Sequence, residues 1–259
     1  MKSLKQRLAA LRENIEKSLD NDALAIMHRA TADLVANGLE DRVLAVDESM
    51  PRFELPDQHG ELHRSETFVE GGPLIVTFYR GIWCPYCNLD LKVLETYQPR
   101  FRKAGATLVA ISPELPEHSR QTAKRHRISF PILSDAGNEV ASSFGLRFFI
   151  GEPLKQLYRD GFGIDLESFD GDASWTLPMP ARFVVDRTGK VRYAEASADY
   201  TKRPEPDELL PVLESLSASE NENVHNNCFR ESHAPPLPAH PIRRSSSRRT
   251  RSSSRSSSG

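Results

Sequence analysis

Along this chain the spacing of apolar residues changes, and each change marks an element. From 3 to 19, Leu4, Leu8, Leu11, Ile15 and Leu19 recur every three or four positions with Lys, Arg and Glu between them, which places them on one face of a helix. Asn21 and Asp22 can cap a second helix carrying Leu24, Met27, Ala30 and Leu34, which Asn37-Gly38 would stop. The two predict a helical hairpin within 1–43 that covers an edge or serves a dimer contact. From about Leu44, apolar runs of strand length take over. Phe53-Glu54-Leu55 enters a turn at Asp57-Gln58-His59-Gly60, and Pro73 to Tyr79 and Ala106 to Ser112 read as buried strands. Between those two, Leu89, Leu91, Leu94, Tyr97 and Phe101 stand at helical spacing. A polar helix is expected from Glu114 to His126, a short strand from Phe130 to Leu133, and a short helix from Asn138 to Phe144. Arg182–Asp186 and Lys190–Ala194 flank Arg187-Thr188-Gly189 as a hairpin, and Asp207–Leu216 closes as a helix. Strands alternating with helices predict a layered α/β domain over 44–216.

Composition changes this picture at one end. Apolar residues make up 38% of the 259 positions, which is low for a chain that is all core. Residues 217–259 carry seven Arg against three Glu, a net of +4, so the remaining 216 residues hold −6 of the overall −2. That segment has no apolar period and ends in an Arg/Ser run, so it cannot offset its ordering entropy and is expected to be a disordered, solvated tail. A contact arm for RNA or an acidic partner is the lesser reading, and no nucleic acid is expected as a partner. No stretch approaches the roughly 20 apolar residues of a membrane span. No apolar core follows the N-terminal charges as in an export signal, so a cytoplasmic protein is expected.

The chemistry concentrates at Cys84-Pro85-Tyr86-Cys87, which follows a buried strand and opens a helix. A helix N-terminus offers unpaired N–H groups and positive partial charge, both of which favour a thiolate. The spacing lets the two sulfurs meet as a reversible disulfide, and Arg80 adds positive charge. The third cysteine, Cys228, stands alone in the tail, and His59, His63, His118 and His126 show no ligand pairing, so no metal and no other cofactor is expected. Trp83 and Trp175 are candidates to flank the pair, with core packing an equal reading for Trp175. Asp165, Asp170 and Asp172 precede Trp175 in a stretch read as a solvated loop.

The run Phe78-Tyr79-Arg80-Gly81-Ile82-Trp83-Cys84-Pro85-Tyr86-Cys87 resembles peroxiredoxin-like proteins of the alkyl hydroperoxide reductase/thiol-specific antioxidant family, in the subgroup with a Cys-Pro-x-Cys pair. Leu108–Ser112, Phe130–Asp135, Phe144-Gly145 and Phe183–Asp186 with Gly189 follow in the family's order. The resemblance covers about Leu44 to Leu216. It implies a thioredoxin-like fold, a central mixed sheet flanked by helices, here with the helical hairpin before it and the tail after it. It also implies a thiol peroxidase that reduces hydrogen peroxide and organic hydroperoxides, recycled by thioredoxin or by glutathione and glutaredoxin.

Laid on the family's Phe-Tyr-Pro-x-x-x-Thr-x-x-Cys pattern, Cys87 falls on the peroxide-attacking cysteine, Cys84 on the threonine and Arg80 on the proline. The family's arginine position is occupied by Pro180, so a slow, Cys87-dependent peroxidase is expected. Pro180 also resembles the cis-proline that faces the cysteine pair in thioredoxins, which implies a cis Met179–Pro180 bond. By thioredoxin logic Cys84 attacks and Cys87 resolves; by peroxiredoxin logic the roles reverse. A thiol–disulfide oxidoreductase and a non-catalytic redox sensor are the alternative functions, and a homodimer is left open.

Overall fold

The computed structural model describes residues 2–218. Positions 219–259, with Cys228 and the Arg/Ser run, lie outside the described residues, and with them almost all of the expected tail. Helix α1 (Leu4–Ser18) opens on a capping box in which Ser3 Oγ accepts from the Gln6 N–H and the Gln6 side chain accepts from the Ser3 N–H. Helix α2 (Asn21–Ala36) is capped by Asp20, one residue before the expected Asn21, because Asn21 itself begins the helix. Leu4 and Leu8 of α1 are buried in the same apolar cluster as the cysteines. Each such leucine contributes about 1.5–3 kcal/mol when fully buried, so the hairpin is a packed part of the domain.

The strands are β1 (Glu54–Pro56), β2 (Leu62–Arg64), β3 (Leu74–Phe78), β4 (Thr107–Ser112), β5 (Ile132–Ser134), β6 (Arg147–Phe149), β7 (Thr176–Pro178), β8 (Ala181–Val185) and β9 (Val191–Ala196). Five of them form the central mixed sheet in the order β5–β4–β3–β8–β9. β3 runs parallel to β4 and antiparallel to β8, with Val76 opposite both Val109 and Phe183. The helices are α3 (Ser65–Gly71), α4 (Pro85–Lys103), α5 (Pro116–His126), α6 (Glu139–Ser143), α7 (Glu152–Gln156), α8 (Leu166–Asp170) and a last helix, α9, over 209–218. No helix among the described residues is long and apolar enough to cross a membrane.

Strand alternation sorts the sheet's two faces. Leu74, Val76 and Phe78 pack with Val109, Ile111, Phe183 and Val185 on one side. Ile75 and Tyr79 pack with Leu108, Ala110 and Val184 on the other, beneath Cys87, Leu91 and Leu94 of α4. Because Arg182 sits between Ala181 and Phe183 in β8, the same alternation points a guanidinium at the α4 side of the sheet.

Two expectations are corrected. The stretch with Asp165, Asp170 and Asp172, read as a solvated loop, instead contains α8, and with α7 and a π turn over Leu157–Gly161 before it makes one folded segment. It buries Tyr158, Leu166 and Trp175 with Ile150 and Leu177 in a third cluster, and Asp170 is buried with them. The apolar content of that stretch, not its aspartates, decides its fate. The Met179–Pro180 bond is trans, as are all peptide bonds described. Met179 N donates to Leu146 O and Pro180 O accepts from Ser197 N, so the chain runs extended from β7 into β8, which a trans bond serves.

Candidate active site

The cysteine pair sits where β3 passes to α4. A loop from Tyr79 to Trp83 ends at Cys84, the N-cap of α4, whose N–H donates to Gly81 O at 3.0 Å. Pro85 suits the first helical position because its missing N–H would have had no partner there. Gly81 is needed for close approach: a Cβ would lie 2.5 Å from Trp83 Nε1 and 2.8 Å from Glu114 Oε1. Cys84 and Cys87 are free thiols, 1% and 0% exposed.

Cys87 Sγ accepts from Arg203 Nη2 at 3.0 Å and from the Arg80 N–H at 3.4 Å. One turn further along α4, Asp90 accepts from Arg182 Nη2 at 2.8 Å on each oxygen and lies 3.6 Å from Arg203 Nε. Arg203 Nη1 donates to the carbonyls of Tyr200 and Lys202, both at 2.6 Å, so this one side chain shapes its own loop and faces the sulfur. Arg80, Arg182 and Arg203 are all buried, and Asp90 is a carboxylate that Arg182 and Arg203 share. The surplus positive charge favours an anion at the sulfurs.

Burial opposes ionisation of both thiols. The hydrogen bond from Cys87, with Arg80 and Arg203, outweighs it at Cys84, whose thiol comes down to about 5. Burial and the neighbouring Cys84 push the Cys87 thiol up. The pair therefore titrates as a unit, releasing one proton readily and holding the second. The N–H donors gather on Cys87 Sγ whereas the lowered thiol is Cys84. Charge and donor geometry both favour one anion on the pair, shared between two neighbouring sulfurs.

Arg80 donates to the Tyr158 hydroxyl at 2.7 Å and lies 4.3 Å from the Tyr200 ring centre and 4.9 Å from that of Trp83. Its Nε has no partner among the described residues, so this guanidinium retains donor capacity. Of the residues read from sequence, Cys84, Cys87, Arg80 and Trp83 come together. Pro180 borders a void of ≈ 20 Å³ beside Arg80, Tyr158 and Tyr200. Trp175 packs in the third cluster and donates to Glu167 at 2.9 Å, apart from the pair. Asp57, Glu61 and His63 bring three possible ligand atoms together on the β1–β2 hairpin, but Asp57 already accepts from the His59 and Glu61 N–H groups and pairs with His63.

Sequence reasoning missed Arg203, Asp90 and Glu114. Glu114 is fully buried after β4, accepts from the Ile82 N–H at 2.7 Å and lies 3.5 Å from the Tyr79 hydroxyl. Burial pushes its carboxyl up to about 8, and burial with Glu114 nearby does the same for Asp170. Unfolded carboxyls ionise near pH 4. The native state therefore holds protons that the unfolded chain releases, and the stability these groups give is lost as pH rises from about 4 to about 8. The lowered thiol acts in the opposite sense, so the measurable quantity is a difference. The melting temperature of Glu114→Gln, which keeps an acceptor for Ile82, is expected to gain on that of wild type between about pH 5 and pH 8. A constant difference across that range would show that Glu114 ionises normally.

A family model described as AhpC/TSA matches residues 46–194. The chloroplastic peroxiredoxin Q of Populus jackii is 30% identical over 170 residues, which cover 64% of this chain and 66% of that one. The chain thus spans just under two thirds of that relative's length. Peroxiredoxin Bcp of Escherichia coli K12 is 31% identical over 120 residues, 45% of this chain and 76% of that one. Among solved structures, peroxidoxin BcpB from Mycobacterium tuberculosis superimposes with a TM-score of 0.52 at 24% identity, over 67% of this chain and 98% of that one, a likeness of fold. A thiol pair that opens the helix after β3, on a sheet of this topology and within the matched span, leaves one conclusion: the chain belongs to the AhpC/TSA family of thioredoxin-like peroxiredoxins.

Proposed function

We propose that the chain is a thiol peroxidase that reduces hydroperoxides through Cys84 and Cys87. The observation that carries this reading is the buried thiol pair at the start of α4, with Arg203 and the Arg80 N–H donating to Cys87 Sγ and the charges of Arg80 and Arg203 lowering the Cys84 thiol, an arrangement that favours a thiolate. Access supports an order of events. Cys84 borders an open recess, whereas Cys87 lies behind it with no exposed surface. The Cys84 thiolate attacks the terminal oxygen of ROOH. An S–O bond forms, the O–O bond breaks, and the alkoxide leaves as ROH after taking the proton that the thiol had released. The resulting sulfenic acid condenses with the Cys87 thiol, forming the S–S bond and releasing water. Two electrons and two protons from an external thiol, thioredoxin or glutathione, restore the pair, which suits a reducing compartment such as the cytoplasm. This order is the reverse of the one that the gapless family register implied. Arg80, with donor capacity to spare beside Cys84, is placed to stabilise charge on the leaving oxygen.

Stopped-flow oxidation of the reduced protein and of each Cys→Ser variant tests this reading. Cys84→Ser is expected to lose the fast reaction. Cys87→Ser is expected to react once and stop at a sulfenic acid, while the wild type ends as an intramolecular disulfide by mass spectrometry. The opposite pattern would assign the attack to Cys87. If neither thiol outpaces free cysteine, the peroxidase reading fails, and insulin reduction without peroxide turnover would put a disulfide oxidoreductase in its place.

A further inference from the structure

The helical hairpin lies outside the span matched by the family model, yet it reaches the thiol site. Ile15 and Leu19, at the end of α1, and Met27 of α2 form one wall of the recess over Cys84. Phe162 and Ile164, from the stretch after α7, are also part of its lining, with Trp83 and Tyr86 beside the sulfur. The lining residues that carry polar side-chain atoms are Cys84, Arg80, Trp83 and the tyrosines Tyr86, Tyr158 and Tyr200. The hairpin is fixed in this position. Glu205 accepts from the Leu4 and Lys5 N–H groups at 3.0 and 2.7 Å, Arg12 lies 4.0 Å from Asp199, and Ala198 N donates to Glu40 at 2.7 Å just beyond α2.

The recess has a volume of ≈ 220 Å³. Hydrogen peroxide is little larger than water, whose share of liquid volume is about 30 Å³, and would leave most of that apolar surface wet. An apolar cavity of about 150 Å³ suffices to hold benzene. Half-buried Ile15, Leu19, Met27, Phe162 and Ile164, converging on one reactive sulfur with a cation beside it, fit a ligand with a bulky hydrocarbon body and an oxygen-bearing end. We propose that the N-terminal hairpin is a specificity element: with the stretch after α7 it seats the hydrocarbon group of a bulky aryl or branched-alkyl hydroperoxide and selects it over hydrogen peroxide. This rests on the peroxidase reading. The hydrocarbon lies against Ile15, Leu19 and Met27, and the peroxide oxygens lie at Cys84 and Arg80.

The test compares cumene hydroperoxide with hydrogen peroxide in stopped-flow oxidation of the full chain, for wild type, Leu19→Asp and Met27→Gln. The two variants sit on different parts of the hairpin, and thermal melting identifies which remain folded. The wild type is expected to favour cumene hydroperoxide at least tenfold in second-order rate constant, and each folded variant to lower that ratio about fivefold or more. A wild-type ratio within about twofold of unity overturns the proposal, as does a ratio that a folded variant leaves unchanged. If the variants instead raise the KM for the reducing protein and leave the peroxide ratio as it was, the recess is a reductant contact and the proposal is wrong. Failure of both peroxides to oxidise the wild type would instead sink the underlying peroxidase reading.

Discussion

Arg203→Met is expected to slow oxidation of the protein by hydroperoxide about tenfold or more near pH 7, and the deficit should close as pH rises above about 9. Burial alone would hold both thiols neutral; at Cys84 the hydrogen bond from Cys87, with the charges of Arg80 and Arg203, overcomes it, while Cys87 keeps its proton. With the Cys84 thiol brought down to about 5, that one proton of the pair is almost wholly released at pH 7. Reversion to an ordinary cysteine value near 8.5 would leave about 3% as thiolate at that pH, a loss of roughly 30-fold. Arg80 remains in the variant, so the full reversion is an upper bound. The pH–rate profile separates this role from a structural one: a variant that merely packs badly loses rate at every pH, whereas loss of charge moves the midpoint. A profile that keeps its wild-type midpoint would show that Arg203 does not set the ionisation of the pair.

The second large effect is on stability. Asp90→Leu is expected to cost about 3–5 kcal/mol, because it leaves the buried guanidinium groups of Arg182 and Arg203 without their carboxylate. For a domain of this size that corresponds to a fall in melting temperature on the order of 10 °C. The double variant Asp90→Leu/Arg182→Met removes one of the stranded charges and should recover part of the loss, since a buried ion pair replaced by apolar groups of similar volume is often near neutral. Thermal denaturation of the two variants decides the point. A single variant that melts within about two degrees of wild type would mean that water or another group solvates these arginines.

The cysteine pair was legible because its signal is local: a buried strand, a proline suited to the first helical turn, and two thiols one turn apart. Arg80 and Trp83 lie in the same loop and came with it. Arg203 was not legible, since 116 residues separate it from Cys87 and only the return of the chain past β9 brings them together. Arg182 left a trace that could have been followed, a charged residue at an inward position of an apolar strand, which implies a buried partner. Glu114 was hidden at the head of a polar helix, where a solvated carboxylate is the ordinary expectation. β6 and β7 are three residues each, too short to show a period, so the third cluster went unread and its aspartates drew the eye instead. The cis-proline expectation borrowed a feature from thioredoxins; here the Met179–Pro180 bond is trans, and the groups that donate to Cys87 Sγ are Arg203 and the Arg80 N–H.

The distance in sequence between Cys87 and Arg203 has a consequence during synthesis. At about 5–20 residues per second, a ribosome needs on the order of 10 s to travel from one to the other. Throughout that interval the nascent chain holds two cysteines with no Arg203 to charge them and no Glu205 to fasten the first helix. They are closer to ordinary thiols, slower toward oxidants for want of the charge that Arg203 adds in the finished domain. The full reactivity of the pair thus arrives only after position 203 has been made, and a shorter nascent chain is protected from premature oxidation by its own incompleteness.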